Sequence, residues 1–388
     1  MLYRTNPING EALSILGFGC MRFPKDERET EKLLLYAIEK GVNYFDTAYM
    51  YGNSEATLGR ILARNGVRKE IKIATKLPPY LVKKSSDMDK IFNQQLARLQ
   101  TDYVDYYMIH SLTDIAVWKR LLDLGIERWI RDKKAEGKIK NIGFSYHGGK
   151  DEFVAIVDAY DWEFCMIQYN YLDENNQAGR SGLRYAAGKG MPVMVMEPLR
   201  GGILAGRLPK GAAKVFDQAY IRRSPAEWAF RWLWDQPEVT CVLSGMSSME
   251  VLAENAEIAQ TAKAGGFTGD DLKVIDGARQ SFAETIKVSC TGCNYCMPCP
   301  QGVDIPSCLS CYNNIVIEGK FRALATYIMH VSMKKKPQIA SLCNQCGKCE
   351  GRCPQKIEIR KELKNTAKVL EGFYFKPVVF MLKKFMRL

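Results

Sequence analysis

Two groups of residues in this chain have the types and spacing for chemistry. The first is scattered: Asp46 and Tyr51 within Phe45-Asp46-Thr47-Ala48-Tyr49-Met50-Tyr51-Gly52-Asn53-Ser54-Glu55, then Lys76, then His110. A carboxylate can hold an ammonium charged and oriented. An ammonium beside a phenol, whose ordinary pKa is near 10, favours the ionised form and makes the phenol a workable proton donor at neutral pH. An imidazole supplies a second hydrogen bond to the oxygen that takes the proton. Such a set suits delivery of a proton to a carbonyl oxygen as hydride reaches carbon. The second group is crowded: Cys290-x2-Cys293-x2-Cys296-x2-Cys299-Pro300 and Cys343-x2-Cys346-x2-Cys349-x3-Cys353-Pro354. Thiolates two residues apart can curl round one soft metal centre.

The scattered group works only if separate segments bring it to one rim. Strand patterns lie near Leu16 and at 43–46, 71–76, 104–110, 139–144, 164–168, 192–196 and 239–243. Helical patterns fill the gaps, for example at 30–40, 87–99, 118–136, 179–189 and 225–235. Ser54 is placed to cap a helix. Eight strands alternating with helices predict an α/β fold, a (β/α)8 TIM barrel, whose strand ends share one mouth. Asp46, Lys76 and His110 end successive strands there. A doubly wound open sheet is the competing architecture, but no Gly-rich dinucleotide turn follows an early strand. A hairpin over the first 20 residues should lead into the barrel. After Gly265-Gly266 and a helix from Asp270 to about Lys287, composition shifts to Cys, Pro and Lys. We place the domain boundary there, with the barrel over 1–285 and a second domain over 286–388.

A chain of 388 residues with 47% hydrophobic content can bury a large core. Residues 290–388 hold 16 Lys and Arg against 6 Asp and Glu, so ten of the twelve net positive charges sit there. Ten of the 13 cysteines crowd into the same region, which favours metal ligation over disulfides. No signal-peptide pattern and no apolar run of membrane-spanning length are visible, so cytoplasm is the expected compartment. The basic residues carry no reading motif for nucleic acid.

The first 264 residues resemble the aldo-keto reductase superfamily, through Gly17-Phe18-Gly19, Asp46-Thr47-Ala48 to Tyr51-Gly52, Ser54-Glu55, Thr75-Lys76, His110 and Ile142-Gly143-Phe144-Ser145. The resemblance implies that Asp46, Tyr51, Lys76 and His110 form the catalytic tetrad, with Tyr51 the general acid on a small-molecule carbonyl. It implies Ser145 and Gln168 at the nicotinamide carboxamide, and Leu199, Gly201 and Gly202 in a pyrophosphate loop. It also implies an adenosine-binding stretch from Gly245 through Asn255, with contacts from Ser247, Glu254 and Asn255. Met196 stands where an aromatic usually stacks on nicotinamide. The loop Gly245-Met246-Ser247-Ser248-Met249 lacks a Lys or Arg to grip a 2′-phosphate, so NADP and NAD both stay open. His147 is either a substrate contact or a structural hydrogen bond.

The second cysteine run matches the bacterial ferredoxin ligand pattern, and the first is one residue short of it. A cysteine before proline usually reaches across to the other cluster. Two 4Fe-4S clusters are therefore expected, one on Cys290, Cys293, Cys296 and Cys353, the other on Cys343, Cys346, Cys349 and Cys299. Paired zinc sites are the alternative, though four cysteines packed so tightly suit two tetrahedra poorly. The long spacer resembles helical ferredoxin domains, and the two halves together resemble aldo-keto reductases with a C-terminal ferredoxin-like domain. Cys308-x2-Cys311 either replaces a ligand or is buried. The stretch 372–385, mixing aromatics with Lys, is expected to pack on the barrel or a twin subunit ahead of an anionic membrane or an acidic redox partner.

Nicotinamide moves two electrons at once and a cluster takes one. Three readings follow: carbonyl reduction with NAD(P)H and structural or regulatory clusters; a reductase in which a flavin such as FMN splits the pair for a ferredoxin- or flavodoxin-type partner; or a non-catalytic electron-transfer or cofactor-sensing subunit. The intact tetrad favours the first.

Overall fold

A computed structural model describes the chain apart from residues 207, 318, 335 and 386–388, and the side chains of 383–385 also lie outside the described set. It forms two compact units, Met1–Leu199 with Ala226–Gly269, and Arg200–Pro225 with Asp270–Leu388.

In the first unit, strands β1 (Tyr3–Thr5) and β2 (Ala12–Ser14) pair antiparallel as a hairpin. Eight strands follow: β3 (Leu16–Gly19), β4 (Tyr44–Asp46), β5 (Lys72–Leu77), β6 (Val104–Leu112), β7 (Ile139–Tyr146), β8 (Phe164–Gln168), β9 (Val193–Met196) and β10 (Val239–Ser244). They run parallel and close into a barrel in sequence order, with β10 returning to β3. Its interior is filled, not hollow: Tyr44, Ala74, Tyr106, Met108, Phe164, Met166, Met194, Cys241 and Leu243 form one buried cluster. Leu13 of the hairpin joins that cluster. The phenol of Tyr106 donates to Glu11 at 2.9 Å and accepts from Asn6 at 3.2 Å, so the hairpin plugs one end and chemistry is left to the other.

The helices lie between strands, as the apolar spacing requires. The 118–136 pattern is two helices, Ile115–Asp123 and Ile126–Ala135, because Gly125 adopts φ 80° and breaks the run. Ser54 does not cap its helix. It lies within Ser54–Asn65, bonded to Thr47 Oγ1 at 2.8 Å and donating to the Cys20 carbonyl at 2.8 Å, which pins the helix start to the strand ends.

The second unit is helical: Gly269–Thr285, Ile305–Ile317, Lys320–Tyr327 running on as a π turn over Ile328–Ser332, Ile359–Leu370 and Phe375–Phe385. Arg200–Pro225 belongs to it through close contacts: Arg223 pairs with buried Asp271 at 2.7 Å, and a Cβ on Gly211 would meet Ser281 Oγ at 2.4 Å. Its core gathers Val303, Ile305, Cys308, Leu309, Tyr327, Val331 and Leu363. Cys308 and Cys311 are buried in that core. Phe375, Val378, Val379 and Leu382 pack on it too, so the C-terminal helix covers its own unit's core and leaves Phe380 and Met381 exposed.

Candidate active site

Each candidate side chain comes from a strand end or the loop beyond it. Asp46 closes β4 and Lys76 lies one residue from the end of β5. The Lys76 ammonium donates to both Asp46 carboxylate oxygens and to the Thr47 carbonyl, all at 2.7 Å. Both side chains are buried, and burial pushes the Lys76 pKa down and the Asp46 pKa up. Each charge is the other's chief compensation, so the pair stands ionised or fails together. The ammonium lies 4.8 Å from the centre of the Tyr51 ring, and that ring meets His110 edge-on at 6.0 Å between centres. The four residues thus converge.

His110 is re-aimed by a local irregularity. The pairing of β6 with β7 shifts register between Ile109 and Leu112, and Ser111 sits at φ 55°. The Ser111 N–H donates to Ser145 Oγ at 2.7 Å, holding the bulge. Burial first, then the Lys76 charge and His147, push His110 well below the ordinary imidazole pKa. It is a neutral ring that carries one N–H. His147 is buried as well, its pKa pushed down to about 4 by burial although Gln177 opposes this. Its Nδ1 lies 3.1 Å from Gln177 Oε1; Gln177 donates to Gln168, and Gln168 donates to Asp173 at 3.0 Å.

Behind Lys76 lies a second polar network. Glu55, fully buried, accepts from Thr75 at 2.6 Å and Gln95 at 2.8 Å and pairs with Arg98 at 3.2 Å. Gln95 also donates to the Lys76 carbonyl at 3.1 Å and accepts from Tyr107 at 2.7 Å. Glu55 and Thr75 stand in motifs legible in the sequence, but Gln95, Tyr107, Arg98, Gln177 and Asp173 were missed. Gln95, Arg98, Asp173 and Gln177 lie on a helix or loop where a polar residue reads as solvated, and Tyr107 lies on β6 where an aromatic reads as core.

The residues expected at a nucleotide divide. Ser145, Gln168 and Met196 stand on neighbouring strands, with Gln168 in register with Met196. Ser145 Oγ accepts from the Ser111 N–H. Gly245 has open space where a Cβ would go, Ser247 and Glu254 are exposed, and buried Asn255 donates to Ser244 Oγ at 3.1 Å. Leu199 closes the first unit's segment, whereas Gly201 and Gly202, at φ 66° and 91°, belong to the second. There a Cβ on Gly201 would lie 2.2 Å from the Thr291 carbonyl, so the turn has no room for a side chain.

In the second unit Cys290, Cys293, Cys296 and Cys353 line one cavity, open to solvent and about 320 Å³ in volume, with Thr291, Ile305 and Leu309. Burial, then the adjacent Cys290, Cys293 and Cys353 thiols, push the Cys296 pKa up. Burial first, then Glu350, Cys343 and Cys299, push the Cys349 pKa up. Among the described residues no three His, Cys, Asp or Glu side chains converge on a single-ion site; the thiols stand round a space. That donor set suits a thiolate-bound cluster with its own volume.

With barrel, rim and thiol cavity described, the comparisons are consistent. The pattern of the aldo/keto reductase family matches residues 15–265, and that of a 4Fe-4S dicluster domain matches residues 289–358. The chain belongs to the aldo/keto reductase family; it is an oxidoreductase of that type carrying a 4Fe-4S dicluster domain. It is similar to a 6-dehydroglucose reductase of Novosphingobium aromaticivorans, 29% identical over 273 residues, 64% of this chain and 87% of that one. It is 26% identical to Protein tas of Escherichia coli, covering 66% of this chain and 92% of that one. Among solved structures, an aldo-keto reductase of Bacillus halodurans in its holo form superposes with a TM-score of 0.61 at 26% identity, over 72% of this chain and 96% of that one. An aldo-keto reductase of Klebsiella pneumoniae in complex with NADPH shares the fold, with a TM-score of 0.58 at 24% identity over 71% of this chain and 95% of that one.

Proposed function

We propose that the chain reduces a small-molecule carbonyl to an alcohol with NADPH or NADH, Tyr51 acting as general acid. Bound nicotinamide would supply the hydride. Lys76, its charge held by Asp46, favours the phenolate left when Tyr51 gives up its proton, and neutral His110 hydrogen-bonds the substrate oxygen and orients it. Ser145 and Gln168 would hold the carboxamide, with Met196 against the ring, Leu199, Gly201 and Gly202 near the pyrophosphate, and Gly245, Ser247, Glu254 and Asn255 toward the adenosine. The observation that carries this reading is an ammonium locked by three 2.7 Å hydrogen bonds, 4.8 Å from the centre of a phenol ring whose edge contact is an imidazole.

We assign two 4Fe-4S clusters, on Cys290, Cys293, Cys296 and Cys353 and on Cys343, Cys346, Cys349 and Cys299, supported by the cavity that gathers the first set. When bound they would supply one-electron chemistry.

The test is anaerobic turnover on a carbonyl panel that includes oxidised sugars such as 6-dehydroglucose, after which the Novosphingobium relative is named. Tyr51→Phe should lower kcat by about 10²–10⁴-fold while NADPH binding persists; unchanged turnover overturns the assignment. The flavin content of the same preparation decides whether FMN takes part.

A further inference from the structure

Thr291 follows Cys290 directly and is 5% exposed. Its carbonyl abuts Gly201, and its hydroxyl Oγ1 is buried with no hydrogen-bond partner among the described residues. Leaving a buried hydroxyl unpaired is costly, so the position demands an acceptor. Thr291 lines the cavity bounded by Cys290, Cys293, Cys296 and Cys353. Among the described residues no group answers the hydroxyl, and the space it borders would be filled by sulfur.

We propose that the Thr291 hydroxyl donates a hydrogen bond to a sulfur of the centre held by these four thiols, and that it raises that centre's reduction potential. The proposal rests on the cluster assignment above. Reduction adds a negative charge to the centre, and a buried donor stabilises the reduced form more than the oxidised form. The second run has no counterpart: Asn344, at the equivalent place after Cys343, is exposed, as is Cys346. Gln345 donates to Cys343 Sγ at 3.5 Å, but this contact is exposed to water. Thr291 is a positioning residue whose effect falls on one centre, the one beside the Gly201 turn that continues from β9.

The experiment is an anaerobic redox titration of the reconstituted full chain, followed by electron paramagnetic resonance. The first centre's wave is the one lost in Cys293→Ala. Thr291→Val should move that wave to more negative potential and leave the other in place, while Thr291→Ser should titrate like the parent. If Thr291→Val takes up too little iron, Thr291→Ala carries the same comparison. An unmoved first wave, or both waves moving together, overturns the proposal. A parent protein without 4Fe-4S iron and sulfide would overturn the cluster assignment itself.

Discussion

At neutral pH His110 and His147 are uncharged, because burial strips them of water and the Lys76 ammonium repels a second positive charge. In the proposed mechanism neutrality suits His110, which presents an N–H without drawing Lys76 away from Asp46. It also makes the fold acid-sensitive. His147 has a folded pKa near 4 against an unfolded 6.5, so the unfolded chain binds more protons between those values and stability falls as pH drops. From pH 7 to pH 5 this residue should cost about 2 kcal/mol. His147→Gln cannot titrate and should flatten the pH dependence by about that amount. Urea unfolding followed by tryptophan fluorescence measures it, since all six tryptophans lie in the first unit. Equal slopes in parent and variant would exclude His147 as the source. The individual reactive residues were legible in the sequence because strand ends in a barrel converge, so a carboxylate, a lysine and a histidine ending successive strands share a neighbourhood. The partners that hold them were not legible: Gln95 and Gln177 look like ordinary surface residues until the fold buries them.

At the scale of elements, the site depends on how closely two helices approach behind β5. Gly59 of helix Ser54–Asn65 faces helix Ser86–Leu99 so tightly that a Cβ would lie 2.3 Å from the Arg98 carbonyl. Backbone there cannot yield as a flexible side chain would. Gly59→Ala should therefore destabilise the barrel by about 1–3 kcal/mol, read as a lower urea midpoint. It should also loosen the Glu55–Gln95–Arg98 network that bridges the two helices, raising the exchange rate of the backbone amides beside Lys76. Period and apolar spacing located nearly every strand to within two residues. They misjudged the 118–136 run, because Gly125 interrupts a pattern that is apolar on both sides, and they misjudged Ser54, whose hydroxyl serves a neighbouring loop and not its own helix end.

Across the whole molecule, the two cysteine runs are interleaved. Cys353 belongs by sequence to the second run but borders the cavity of the first, and the Cys299 thiol of the first run helps raise the pKa of Cys349 in the second. Cys353→Ala should thus disturb the centre that depends on Cys290, Cys293 and Cys296 and leave the spectrum of the other intact, as measured by iron content and electron paramagnetic resonance. Loss confined to the Cys343 centre would contradict the crossing. The crossed arrangement also closes the second unit: residues about sixty positions apart are tied through one space, beside a core that includes Cys308, Tyr327 and Leu363.

Alternation of strand and helix, the placement of Asp46, Tyr51, Lys76 and His110, and the cysteine spacing were decided by sequence alone, because each is a local pattern with a fixed period. Tertiary structure alone decided that Ser111 bulges to aim His110, that Glu55 is buried behind Lys76, and that Arg200–Pro225 joins the cysteine-bearing unit. These depend on which distant surfaces meet, and neither periodicity nor residue type encodes a contact whose two halves lie far apart in the chain.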